Sequence, residues 1–322
     1  METHLIFLKR LGSVVWTLLA AVAPGLADGP ALGPAPFEAG ERAVYQIRYG
    51  PVVAGTMTLN VDTATAADVS ALNADVLGTV SDSLSKEVPP DSGGDSGAVS
   101  DSLSKEVPPD SGGEPLWLFH GTAVSSGFVS VFYTVNDAIR GWVDPKNYRP
   151  RRLEIHVDES GERGRREVVY DPASGVAHYL RDRTFHRKRG PNRLERDDPL
   201  DPEAVDALSL FFHLRSLALA PGQEFGVMVH ENGKNRPVRV AVAKRETIST
   251  PRGKVKTLPV AVRLILEGKL ESQRAFRIWL SDDDRRVPVK FAAELAFGSV
   301  KGVLVEYAPG GSGQGDGGQG KD

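Results

Sequence analysis

The sequence predicts a mainly β protein: one large antiparallel sheet, curved into a half-barrel or barrel-like form, wrapping one or two short α-helices. Three observations lead there. Most apolar residues alternate with polar ones at period two, the spacing of half-buried strands. The alternating runs follow one another through short turns, as antiparallel meanders do. Only the segment 201–222 carries a long apolar stripe at helical spacing. A sheet of roughly twelve strands must curl or close, because twisted open sheets rarely exceed about ten.

The elements follow in chain order. In FEAGERAVYQIRYGPVVAGTMTLNVD, Ala43, Tyr45, Ile47 and Tyr49 alternate with polar or smaller neighbours, as do Met57, Leu59 and Val61. Gly50-Pro51 and Gly55 punctuate the two runs, which predicts a first hairpin. From 63 to 115 the period is lost, and Ala, Ser, Asp, Gly and Pro dominate. Within this stretch the fifteen letters VSDSLSKEVPPDSGG occur twice. Two serine-rich copies without an apolar face cannot bury enough surface to offset their ordering entropy. The expectation is a tandem duplication in a tolerant, disordered surface insert, with a short linear binding motif as the alternative.

Residues 116–127 read as a strand. Phe128, Val131, Phe132 and Val135 fall at i, i+3, i+4 and i+7, which suggests a short helix. Strands are expected at 138–144, 151–171 (two, around Glu159–Glu162) and 175–182. The helix in 201–222 is expected to be capped by Asp201, with Pro202 at its first position and Pro221-Gly222 at its end. Strands then run to Tyr307, and the glycine-rich stretch 308–322 reads as a disordered tail.

The first segment bounds the compartment. Lys9 and Arg10 precede a ten-residue apolar run, Val14 to Ala23, short of the ~20 residues that span a bilayer. Small residues follow, and Gly25-Leu26-Ala27 is a better cleavage box than Ala21-Val22-Ala23, which Pro24 spoils. Residues 1–27 are therefore expected to be a signal peptide cut after Ala27; a membrane anchor or a buried helix is the plainer alternative. Residues 28–36 read as a flexible leader to a single β-rich domain over 37–307. The chain contains no cysteine, which excludes disulfides, zinc–thiolate sites, cysteine nucleophiles and a lipoprotein anchor. Export without disulfides suits a bacterial periplasm.

No motif marks a chemistry. The seven histidines form no close metal pair, and His178 and His186 stand eight apart. Asp282-Asp283-Asp284 lacks the alternating spacing of a calcium loop and reads as a solvated turn. Gly313, Gly315 and Gly318 have dinucleotide-loop spacing without the strand and helix that loop requires. No catalytic, cofactor or metal residue is assigned, and no cofactor is expected. A Ser–His–Asp set assembled from distant positions stays open.

The basic residues are more informative than the net charge of -3. Arg181, Arg183, Arg187, Lys188, Arg189, Arg193 and Arg196 crowd one stretch, and Arg149, Arg151, Arg152, Arg163, Arg165 and Arg166 another. Arg183, Arg187, Lys188 and Arg189 are the candidate polyanion contacts, against the plainer reading of solvated strand faces. Outside the cytoplasm nucleic acid is not expected; anionic lipid head groups and lipopolysaccharide phosphates are. The aromatic residues, Phe128 and Phe132 among them, read first as core. If the helix leaves the sheet unfilled, Tyr45, Tyr49, Trp142, Phe211, Trp279 and Phe291 are the candidates to line an apolar ligand site.

Three stretches together resemble a family of exported Gram-negative proteins, the domain of unknown function 3108. They are FEAGERAVYQIRYGPVVAGTMTLNV with its Gly-Glu start, the helix DALSLFFHLRSLALAPGQEF with its Asp-x-Leu-Ser opening and its Arg, and IWLSDDDRRVPVKF with its Arg-x-Pro hairpin. The resemblance spans about 37–307 except the insert. It implies a periplasmic β-rich protein and carries over no catalytic residue; its pattern is also similar to the half-barrels of periplasmic lipoprotein carriers. The expected function is a non-enzymatic periplasmic protein, with no membrane span after signal cleavage, holding a lipid-like or apolar ligand in envelope biogenesis. The alternatives are an assembly scaffold with a filled core and an envelope hydrolase with a non-local site.

Overall fold

A computed structural model of the chain describes residues 29–65, 115–185, 189–266, 269–295 and 298–311. The expected signal peptide, the duplicated block and most of the glycine-rich tail lie outside these residues. So do His186, Arg187 and Lys188.

Alternation of apolar and polar residues builds fifteen strands in one antiparallel sheet. They are β1 (Glu41–Tyr49), β2 (Val52–Ala64), β3 (Leu116–Ser125), β4 (Asn136–Val143), β5 (Pro150–Glu159), β6 (Glu162–Asp171), β7 (Val176–Phe185) and β8 (Arg189–Pro199). After the long helix come β9 (Glu224–Glu231), β10 (Lys234–Val242), β11 (Glu246–Thr250), β12 (Gly253–Leu266), β13 (Lys269–Ser281), β14 (Pro288–Leu295) and β15 (Gly298–Ala308). The spatial order runs from β8 back to β1, crosses to β15, and continues through β12 and β10 to β9, with β11 beside β12. At the crossing the first strand meets the last: β1 lies antiparallel to β15, with Arg42 opposite Ala308 and Tyr49 opposite Val300. The insert interrupts a hairpin, since β2 and β3 pair as far as Ala64 and Leu116. A long excursion that leaves and returns at adjacent residues adds little closure cost, which grows only with the logarithm of loop length.

The sheet curls around helix α2 (Ala207–Ser216), whose Leu208, Leu210, Phe212 and Leu214 are buried in the main core. Phe212 stacks on Phe119 with ring centroids 3.7 Å apart, and Phe37 meets it edge-on. Gly141 on β4 lies against Leu208: a Cβ there would sit 3.0 Å from Cδ2, so the strand approaches the helix closely. Burying each such Leu or Phe contributes about 1.5–3 kcal/mol, which fixes the helix inside.

The helix starts later than the sequence suggests. Asp206, not Asp201, is the N-cap, its carboxylate accepting from Ser209 N. Residues 201–205 instead form a turn and a short bridge. Val205 N donates to Met228 O, and His230 N donates to Val205 O. This segment covers the free edge of β9. Asn235 on β10 then ties in the end of β8, its side chain donating to Pro199 O and accepting from Asp201 N. The sheet is barrel-like without being hydrogen-bonded into a closed ring.

Two other expectations differ. The stretch read as a flexible leader is tied to the helix end. Gly33 N donates to Ser216 O, a carbonyl that the helix terminus leaves unpaired, and Ala218 N, just beyond the helix, donates to Ala31 O. The short helix α1 (Gly127–Phe132) forms, yet its apolar stripe faces solvent: Phe128, Val131 and Phe132 are exposed while Val129 is buried. Tyr133 is extended, so the helix ends before Val135 joins the stripe, and the face that meets the sheet is the one carrying Val129. Among the described residues no helix is long and apolar enough to cross a membrane.

Candidate ligand-binding site

Glu41 on β1 and Arg215 at the end of α2 form a buried bidentate ion pair, with N–O distances of 2.7 and 3.0 Å. Arg215 also donates to the carbonyls of Arg285 and Arg286 in the β13–β14 turn. Tyr307 donates its hydroxyl to Glu41 at 3.0 Å, and beside that carboxylate its own pKa is pushed up to about 12, chiefly by burial. Arg286 holds a left-handed φ of 46° as it presents its carbonyl, a conformation that costs on the order of 1–3 kcal/mol. Three stretches far apart in sequence thus meet at one guanidinium, and they set the position of the residues just after the helix.

Those residues wall a cleft of about 480 Å³. Leu217 follows the helix, Leu32 comes from the leader, and Phe225, Val227 and Met228 from β9, with Pro237 on β10 closing the apolar side. Asn147, Arg149, Glu203 and His213 form the polar end. The β4–β5 turn delivers the first two. Tyr148 takes a left-handed φ of 59° between them, and Asn147 Oδ1 accepts from Arg149 N at 2.9 Å.

The polar end is electrically quiet. Arg149 is ion-paired with Glu203. Burial alone lowers the His213 pKa to about 4, so the imidazole is neutral near pH 7. Its Nδ1 has no hydrogen-bond partner, and Tyr148 meets the ring edge-on at 5.8 Å. An apolar wall ending in a neutral histidine and a compensated ion pair suits a ligand with an apolar body and a small polar tip.

The aromatic candidates lie elsewhere. Tyr45, Phe211 and Phe291 meet in the core, with centroids of 5.3 Å for Tyr45–Phe291 and 6.4 Å for Phe211–Phe291. Tyr49 lies against Gly298 at the sheet end. Trp142 alternates with helix-facing Gly141 and so points away from α2, under Arg152. Trp279 likewise faces outward between Ile278 and Leu280, donating to Glu246 and lying 4.4 Å from Lys290 Nζ. None of the six lines the cleft, because the helix fills the concave side where they were expected to be free. Of the polyanion candidates, Arg183 is half-buried and pairs with Glu162 at 2.8 Å. Arg189 opens β8, opposite Phe185, and Arg187 and Lys188 lie outside the described residues.

His178 pairs with Asp197 on the outer face. Asp283 accepts from Ser281 Oγ and from the backbone of Arg285 and Arg286, holding the hairpin turn. Among the described residues no group of three His, Asp or Glu is arranged to hold a metal ion. Sequence reasoning missed the cleft because its walls come from four separated segments; only the basic cluster around Arg149 hinted at it.

No curated protein matches the chain. Among solved structures, a beta-barrel-like protein of domain of unknown function DUF1849 from Brucella abortus is similar at 9% identity and a TM-score of 0.46, covering 85% of this chain and 98% of that one. At that score the likeness adds nothing to the fold already described. A family model described as protein of unknown function (DUF3108) matches residues 98–305, most of the chain, from within the insert to β15. The chain belongs to that family of proteins of unknown function.

Proposed function

We propose that this is a non-enzymatic protein of the cell envelope, exported to the periplasm by a signal peptide cut after Ala27, that holds a lipid-like or apolar ligand. The cleft beside the end of α2 is the site. The single observation that supports it is an apolar wall of Leu32, Leu217, Phe225, Val227, Met228 and Pro237 facing a neutral, unpartnered imidazole. The ligand chemistry that fits is an acyl or other hydrocarbon body whose tip offers one hydrogen-bonding group to His213. The scaffold reading draws on a different observation, the core filled by Tyr45, Phe211 and Phe291. It differs in requiring no occupant of the cleft.

Mass spectrometry of small molecules co-purifying with the exported, full-length protein separates the two. A lipid-like species in stoichiometric amount supports the carrier. Leu32→Asp, placed on an exposed residue at the cleft, is expected to lower its retention about tenfold, the effect of losing the burial of one large aliphatic group. Recovery of no such species under gentle extraction, from protein of normal thermal stability, overturns the carrier reading and leaves the scaffold.

A further inference from the structure

β6 and β7 carry arginines on both faces, and the two faces treat them differently. On the outer face Arg152 pairs with Glu154 and Glu167 at 2.7 and 2.6 Å, and Arg165 with Glu167 at 2.8 Å. On the core-facing side Arg166 stands directly opposite Arg181 in the antiparallel ladder. That side is identified by Ile155, which pairs with Arg166, and by Val168 and Tyr179, each two residues from one of the arginines and so on the same face. Arg183 lies one step further along it, opposite Gly164.

Like charges directly opposite each other destabilise a strand pair. Here, among the described residues, no carboxylate pairs with either arginine. Among the described residues Arg166 has no hydrogen-bond or ion-pair partner, and Arg181 has only Asn192 Oδ1 at 3.1 Å. The Nε–H groups of Arg166, Arg181 and Arg183 are all buried without an acceptor. Acids on this side form bonds to other groups. Glu162 pairs with Arg183, and Glu159 accepts from Tyr133. Asp137 receives the Asp158 amide.

We propose that Arg166 and Arg181, with Arg183 beside them, bind a phosphoryl oxyanion. Two guanidinium forks on adjacent strands present parallel N–H donors of the kind that match phosphate oxygens bidentately. A dianion between them turns a repulsive cross-strand pair into a bridge and supplies acceptors for donors that have none. The site is separate from the apolar cleft and does not depend on it. The same chemistry is found in a soluble phosphate ester and in the head group of an anionic phospholipid.

The test uses the full-length protein at low ionic strength, where exposed charges are least screened. Inorganic pyrophosphate is expected to raise the melting temperature and to bind measurably by calorimetry. Arg166→Gln and Arg181→Gln each weaken binding about tenfold or more, the scale of losing charge-assisted hydrogen bonds. Arg181→Lys, which keeps the charge and loses the fork, is intermediate. Arg163→Gln, on an exposed residue paired with Asp158, leaves binding unchanged. Co-sedimentation with phosphatidylglycerol vesicles, against phosphatidylcholine, forms the second arm. Loss of vesicle binding in Arg166→Gln without a pyrophosphate effect assigns a lipid head group; a pyrophosphate effect without vesicle binding assigns a soluble phosphate. Absence of both in the parent protein, or binding that Arg166→Gln and Arg181→Gln leave intact, overturns the site.

Discussion

Two arginine settings in this molecule look alike in sequence and opposite in space. Arg215 is fully buried and fully answered: a bidentate carboxylate, two backbone carbonyls and the Phe37 ring at 4.9 Å surround it. Arg166 and Arg181 are half-buried and stand opposite each other, and the one acceptor for either among the described residues is Asn192 Oδ1 on β8, on the side of Arg181 away from Arg166. A buried charge survives only when its hydrogen bonds are complete. The first setting is therefore part of the architecture. The second lacks the acceptors that would make it so, and an incomplete setting of this kind is where a ligand supplies the missing half.

The largest expected effect breaks the first setting. Arg215→Met or Glu41→Gln alone should destabilise by about 3–5 kcal/mol, because each leaves the other group buried and unpaired. The double variant should lose clearly less than the sum of the two. Urea denaturation measures this; a loss below about 1 kcal/mol for Arg215→Met would show that the pair is not what anchors the helix end.

A second effect tests whether incomplete compensation on the core-facing side carries a cost. Asp137 is buried, and desolvation raises its pKa from 3.8 to about 6. The folded state then binds more protons than the unfolded state between those values, so stability falls as pH rises through about 6. Asp137→Asn removes the ionisation and should stabilise by on the order of 1–3 kcal/mol at pH 8, with little change at pH 4. Melting curves at the two pH values check it, and equal shifts at both contradict the assignment.

The smallest effect sharpens the contrast. Arg166→Gln should leave the ligand-free protein within about 0.5 kcal/mol of the parent, or slightly more stable, since it relieves a like-charge pair. An arginine that costs several kcal/mol at one site and nothing at the other separates a structural role from a binding role. A loss at Arg166 comparable to that at Arg215 would mean the two settings are equivalent.

Much of the sheet was legible because alternation is a local signal. Tyr45 opposite Met57, and the strand that carries Trp279, follow from period two and turn residues alone. The apolar helix was legible for the same reason, though its cap was not: Asp201 and Asp206 are chemically equivalent, and only the bridge of Val205 to β9 decides between them. The stripe of Phe128, Val131 and Phe132 misled, because spacing says which residues share a face and not which face meets the core. The six aromatic candidates show a related limit. Their type marks apolar surroundings, which a core and a ligand site share. The cleft was not legible, since its walls are brought together by the leader, the helix end and the sheet edge.

By itself the chain determined what neighbouring residues can settle: strand alternation, turns, one apolar helix, and the two of the three resembling stretches that fall within the family match of 98–305. Tertiary structure decided what depends on distant partners. It brought Glu41, Arg215 and the carbonyls of Arg285 and Arg286 to one point, and it left Arg166 facing Arg181. The reason is physical. Periodicity is set by the backbone within a few residues, whereas the worth of a charge is set by whatever the fold places around it, and sequence order carries no record of that distance.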